Sequence, residues 1–304
     1  MRDPKYPQKH LPRVFDTSFD YKTDTPRTRP DPDGGSPLLR WDHELLWSKE
    51  LPSGDVFAPK VTTRQREYLI FTDANTDRYC YGSDAITSSY TGRSRPAPLA
   101  NAMADLSQCQ KSRYLNPPYT IGSAMIWPVR KGQTTINQAR GFDPSGRLIG
   151  DRMDLTLECI RRHYSTEPED PPAGALKDAY RDFFAVINSY KDFFALFDGF
   201  KEFVNFFHFQ DLVTPDNKAV RFYLDFNNFE RPGTPATKDE YVTYREATLQ
   251  FIAGRGRRMA EWVAEHHPEI EVHNPWWQPR QVMECTGLRP REVSGGHSSS
   301  EGDG

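Results

Sequence analysis

QTTINQARGFDPSGRLIGDRMDLTLECIRRHY, residues 133–164, is the stretch on which the reading of the fold turns. Its second half reads as a helix from Asp151 to Tyr164. At 100° per residue, Met153, Leu157, Ile160 and Tyr164 fall on one narrow stripe, the mark of a face packed against a core. Asp151, Asp154, Glu158, Arg161 and Arg162 fall on a second stripe. Asp151 follows Gly150 and is suited to cap the helix, and the acids lead the arginines as the helix dipole favours. The first half, TTINQARGF (134–142), reads as a strand returning from YTIGSAMIWPV (119–129) through Lys131-Gly132. The near-continuous apolar centre of 119–129 predicts a central strand, with Pro128 marking its exit from the ladder.

The charged stripe admits two readings. One is a solvated face whose ion pairs each contribute about 0.3–0.5 kcal/mol. The other is a cleft over which Arg140 folds back. Asp151, Asp154 and Glu158 then serve as acid–base groups or as oxygen ligands for a divalent cation, whose identity the sequence leaves unknown. Arg140, Arg152, Arg161 and Arg162 would clamp a phosphate or carboxylate.

Working outward, SPLLRWDHELLWSKEL (36–51) predicts a helix capped by Ser36 with Pro37 in its first turn, and His43 half-exposed on it. EYLIF (67–71) and RYCYG (78–82) predict a hairpin, and a short strand is expected near Val14–Phe19. Residues 85–118 read as an insertion or lid-like excursion with a helix at about 98–112 and a basic loop, GRSR (92–95). Ten phenylalanines lie between Phe183 and Phe209. Their spacing predicts a helix at about 174–187 and one or two more between 189 and 212, broken near Gly199, with the rings in the core. VRFYLDF (220–226) predicts a strand. Thr237 and Glu240 form a capping box for a helix to about His267, with a kink or close packing at Gly254 and Gly256.

The fold class that follows is α+β: a small, mostly antiparallel sheet packed by Phe-rich helices. Residues 1–13 are expected to be a flexible N-terminus, 14–268 a single domain, 269–291 an irregular extension and 292–304 a disordered tail. A mean hydropathy of −0.75 is low for a globular chain, and 19 Phe, 14 Tyr and 6 Trp compensate through the area each buries. The net charge of −3 supplies no bulk field for nucleic acid. No apolar run approaches the ~18 residues of a membrane span, and the N-terminus lacks the apolar core of a signal peptide. Four scattered cysteines without a CxxC pair argue against a zinc site and fit free thiols in the cytoplasm. The sequence names no cofactor.

Six segments carry a family resemblance: DTSFDYKTDTP (16–26), SPLLRWDHELLWSKELPSG (36–54), TIGSAMIWP (120–128), INQARG (136–141), DRMDLTLECIRRHY (151–164) and the Phe-rich run through QDLV (183–213). Over most of residues 14–260 the chain resembles an uncharacterised family of bacterial proteins with a domain of unknown function. It looks longer than those relatives at 85–118 and after about 268. The resemblance implies no activity. Two functional classes therefore stand side by side: a binding or interaction module meeting a partner protein, and an enzyme acting on a small anionic, phosphorylated or nucleotide-like, substrate.

Overall fold

A computed structural model describes residues 14–61, 69–73, 76–86, 97–140, 149, 151–165, 177–226, 228–230 and 233–275. The N-terminal 1–13, the GRSR loop and the 292–304 tail lie outside the described residues. The chain runs β1 (Val14–Asp16), α1 (Pro32–Gly35), α2 (Pro37–Trp47), β2 (Lys49–Glu50), β3 (Val56–Phe57), β4 (Lys60–Val61), β5 (Leu69–Asp73) and β6 (Thr76–Asp84). It continues through α3 (Ala97–Ala104), α4 (Gln108–Tyr114), β7 (Ala124–Val129), α5 (Ile136–Arg140), α6 (Met153–Tyr164) and α7 (Lys177–Ser189). It ends with α8 (Lys191–Phe194), α9 (Phe200–Phe206), α10 (Lys238–His266) and β8 (Glu271–His273). The fold is α+β. One four-stranded antiparallel sheet, ordered β4-β5-β6-β7, sits with two two-stranded ones, and β1 and β8 pair in parallel.

Local chemistry explains most boundaries. The Ser36 hydroxyl accepts from the Leu39 amide and opens α2 as expected. His43, expected half-exposed, is fully buried, and its Nδ1 accepts from the Trp47 indole N–H at 2.9 Å. Of the strand expected over 134–142, residues 134–140 form none, and 141–142 lie outside the described residues. Thr135 and Gln138 exchange side-chain and backbone hydrogen bonds at 3.1 Å each, a capping box that starts α5 instead. Among the described residues β7 pairs with β6 alone, at the edge of the sheet rather than its centre, which is why Pro128 can sit within it opposite Cys80. Its residues Ala124–Pro128 are nevertheless buried, because helices cover what the sheet leaves open. VRFYLDF does not make a strand either. Val220 bridges Val213, and beyond it the Tyr223 amide donates to the Asp154 carboxylate. Within the expected irregular extension, residues 271–273 form β8.

The Phe-rich run is core. Phe197 and Phe206 lie 5.0 Å apart between ring centroids, Phe203 and Phe207 4.9 Å, and Trp47 lies 5.1 Å from Phe207. Gly199, at φ 92°, breaks the run and precedes α9. The 85–118 excursion yields two helices instead of one, split where Ser107 and Gln110 form a capping box. Leu99, Met103, Leu106 and Tyr114 bury against Tyr241, Val242 and Tyr244 of α10. Cys80 and Cys159 are buried free thiols, whereas Cys109 is disulfide-bonded, so the free-thiol expectation fails at that position. Among the described residues no helix is long and apolar enough to cross a membrane.

Thr237 accepts from the Glu240 amide and opens α10, which then runs unbroken through Gly254 and Gly256. Close packing accounts for Gly254, where a Cβ would stand 2.7 Å from an Asp211 carboxylate oxygen. Gly122 is tighter still, since a Cβ there would lie 2.0 Å from the Ile252 carbonyl oxygen of α10. Gly122→Ala is expected to cost about 1–3 kcal/mol by forcing α10 away from the start of β7. Urea unfolding of the variant beside the parent chain measures this, and an unchanged midpoint would contradict the packing.

Candidate functional site

The charged stripe of α6 faces inward, but into protein rather than into a cleft. Asp151 does not cap the helix. It adopts a left-handed conformation, φ 55°, and Arg152 occupies the N-cap position without a side-chain cap bond. Arg152 and Asp154 are buried and form a two-point ion pair, and Arg152 also donates to the Gly233 carbonyl at 3.0 Å. Asp154 in turn accepts the Tyr223 amide at 3.0 Å. Glu158 receives Arg161 at 2.8 Å and Arg162 at 2.7 Å. Arg162 also donates to Asn228 and lies among the rings of Tyr180, Phe226 and Phe229. The stripe is covered by Tyr223, Phe226, Asn228, Phe229 and the Gly233 carbonyl. Those residues are far away in sequence, so the helical wheel could identify the face without identifying its cover.

Asp154 and Glu158 are therefore separated from Asp151, which joins a different group. Arg140, the last residue of α5, is fully buried. Its guanidinium donates to the carbonyls of Asp84 (2.7 Å), Ala85 (2.7 Å) and Asp151 (2.8 Å), and its Nε lies 4.0 Å from the Asp151 carboxylate. The Asp151 amide returns a bond to the Arg140 carbonyl at 2.9 Å. This lock holds Asp84, the last residue of β6, against its ladder partner Ala124.

Two residues unmarked in the sequence complete the group. α1 packs on β6 and carries Asp33. The Tyr119 hydroxyl donates to the Asp33 carboxylate at 2.5 Å and also interacts with Asp84. Burial and then the neighbouring Asp84 and Asp31 push the Asp33 carboxyl well above its ordinary range, against the Tyr119 hydrogen bond. Burial and Asp151 push Asp84 up to about 7, opposed by Arg140 and Tyr119. Burial also raises Asp151, with Arg140 opposing it. Asp33 and Asp84 are thus two carboxyls of raised proton affinity that meet the same phenol, Tyr119. The signal that could have found them is slight: an Asp-Pro-Asp-Gly turn at 31–34 and an aspartate closing a strand.

Among the described residues no group of three His, Cys, Asp or Glu is arranged to hold a metal ion. A cleft of about 900 Å³ lies elsewhere, between α10 and the segments around Pro117, Asp211 and Phe222. Arg221, Gln250 and Arg257 supply polar groups to its wall, and neither Arg140 nor any residue of 151–162 lines it.

Two outcomes check this partition. Asp154→Ala leaves Arg152 buried without its carboxylate and is expected to lower unfolding free energy by about 3–5 kcal/mol in urea melts. Asp84 behaves differently. Its folded-state proton affinity is raised, so its contribution to stability is present below pH 3.8 and is lost as pH rises through about 7. Asp84→Asn is expected to remove that loss, so the stability gap between pH 5 and pH 8 narrows in the variant. A gap that stays as wide as in the parent chain would show that Asp84 titrates normally.

No curated protein and no solved structure matches the chain. A family model described as a family of unknown function, DUF6994, matches residues 15–259, which takes in α1, the end of β6, Tyr119, α5 and the whole of α6. The chain belongs to that family of unknown function.

Proposed function

We propose that this protein is an enzyme that performs general acid–base chemistry at the Asp33–Tyr119–Asp84 group. The observation that carries this reading is the geometry at Tyr119: its hydroxyl donates to Asp33 at 2.5 Å and also interacts with Asp84, two carboxyls whose proton affinity burial and neighbouring acids raise. Such a pair offers one acid and one base at neutral pH, the condition under which proton transfer in both directions is efficient. Perturbed carboxyls of this kind concentrate at functional sites.

Charge points to the substrate class. Asp31 acts on both Asp33 and Asp84, and the one guanidinium that acts on Asp84 and Asp151 is already committed to three carbonyls. Arg152, Arg161 and Arg162 are likewise engaged by Asp154 and Glu158. This balance favours an uncharged or cationic small molecule over the phosphorylated one to which the arginines of the sequence pointed. Asp151, beside Asp84, tunes the pair, and Arg140 positions both. A cytoplasmic location is part of the proposal: the buried free thiols Cys80 and Cys159 support it, and the disulfide at Cys109 weighs against it.

The second reading, a binding module, is favoured by the cleft along α10, whose volume of about 900 Å³ suits a ligand. Weighing against a broad protein-docking surface, the exposed large hydrophobics among the described residues are Val14 and Val56.

A test independent of the natural substrate uses small uncharged epoxides. One carboxylate opens the ring while the neighbouring carboxyl protonates the departing oxygen, which leaves an ester on Asp33 or Asp84. Peptide mapping is expected to find the adduct on one of these two residues in the native chain, fastest near neutral pH. It should disappear in Asp33→Asn and Asp84→Asn variants that melt like the parent. Equal labelling of exposed acids such as Glu265 would overturn the reading.

A further inference from the structure

Lys49 opens β2 directly after α2 and is half-buried. Its amine donates to the Phe206 carbonyl at 2.5 Å and stands 3.3 Å from Nε2 of His208. Three rings surround it, with centroids of Phe206, Trp262 and Trp47 at 4.5, 5.1 and 5.3 Å. The imidazole that meets it belongs to a residue held in the left-handed region, φ 58°, a conformation that costs free energy for a non-glycine residue.

The charges that face this amine are almost all positive. Arg255, fully buried, acts on Lys49, His43 and His208. Its Nε and Nη1 are spent on backbone carbonyls, and its buried Nη2 has no hydrogen-bond partner. Arg258 acts on His208 and is paired with Asp211. His266 stacks on Trp262 with centroids 4.6 Å apart, and Glu50, the next residue of β2, is exposed. No carboxylate forms an ion pair with Lys49 among the described residues. A lysine in such a setting is desolvated and, among the described residues, has no carboxylate counter-ion.

We propose that Lys49 is a nucleophilic lysine that condenses with a small aldehyde or ketone to give a Schiff base. The amine lone pair forms the C–N bond, and the carbonyl oxygen leaves as water with the two amine hydrogens. No oxidant, reductant or metal enters the balance. His208, at hydrogen-bond range, relays a proton between nitrogen and the departing oxygen. Where the imine is protonated, the iminium is a cation facing the same three rings. Burial first, and Arg255 second, bring the amine down to about 7, so roughly half of it is free base at neutral pH. His208 is held neutral by burial and by Lys49, Arg255 and Arg258, which suits a relay rather than a competing cation.

The experiment is brief reductive alkylation of the native full-length chain with acetaldehyde and cyanoborohydride, read by peptide mapping across pH 6–10. Lys49 is expected to be alkylated at least about tenfold faster at pH 7 than the exposed Lys131 and Lys201, with a rate that levels off above pH 8. Lys49→Arg, checked by thermal melting, should lose that fast phase alone. Asp84→Asn should leave it intact, which separates this site from the acid–base group. The proposal is overturned if Lys49 reacts no faster than the exposed lysines, if its rate still climbs beyond pH 9, or if it reacts only after unfolding in urea.

Discussion

Buried guanidinium groups that satisfy main-chain carbonyls hold this fold in place. Arg255 donates to the carbonyls of Phe207, Gly122 and Ala124 at 3.0, 3.0 and 2.6 Å. A buried carbonyl without a donor costs about 1–3 kcal/mol, and these three come from backbone turning between elements. Only a planar fork serves several of them at once, so a lysine could not replace it. One side chain of α10 thereby ties the end of the Phe-rich run to the start of β7. The cost is a charge in the core, eased by the Phe209 ring 4.7 Å away but still large enough to depress Arg255 itself to about 9. The same charge reaches Lys49 and both histidines around Trp47, so the brace that completes the core also sets the chemistry of its neighbours.

Arg140 repeats the device at the other site. Its three carbonyls, from Asp84, Ala85 and Asp151, belong to backbone that leaves the sheet or enters α6. Because the guanidinium is consumed by carbonyls, it only partly offsets the carboxylates those residues carry. Asp84 retains a raised proton affinity despite a buried arginine beside it. A direct bidentate pair would have pulled that carboxyl down, as close opposite charges do. The geometry of Arg140 therefore matters more than its charge: it gathers acids without neutralising them.

The periodic and capped parts of this architecture were legible in the residues. Ser36 and Thr237 start the helices they announce, β5 and β6 pair where a hairpin was expected, and the Phe spacing marks core. Misreadings arose where two local codes overlapped. TTINQ alternates like a strand, but Thr135 and Gln138 close a capping box, and a satisfied helix start outweighs alternation when no strand lies alongside. VRFYLDF has strand composition, yet its amide at Tyr223 is claimed by Asp154. The charged stripe of α6 was located correctly, but a wheel carries no information about a lid supplied by Tyr223, Phe226, Asn228 and Phe229. Asp33 and Asp84 were missed for the same reason: their significance lies in Tyr119 and in each other, and no spacing rule connects an N-terminal turn to the end of a strand.

Ala124 is where these constraints meet. Its carbonyl accepts Arg255, while on the ladder it stands opposite Asp84, whose own carbonyl accepts Arg140 and the Trp127 indole. The amides of Ala85 and Ile86 both reach the Ser123 carbonyl one residue earlier. The junction of β6 and β7 is thus pinned by two arginines, one from α5 and one from α10, and by the ladder that joins the strands. A carboxyl pair can hold one proton at a defined position only if its backbone does not yield when the proton moves, since relaxation would screen the repulsion that raises its affinity. The edge strand, with Gly122 pressed against α10 and Pro128 at its far end, supplies that stiffness. Preorganisation at Asp84 is accordingly built from α10 outward, through atoms that never touch the carboxyl itself.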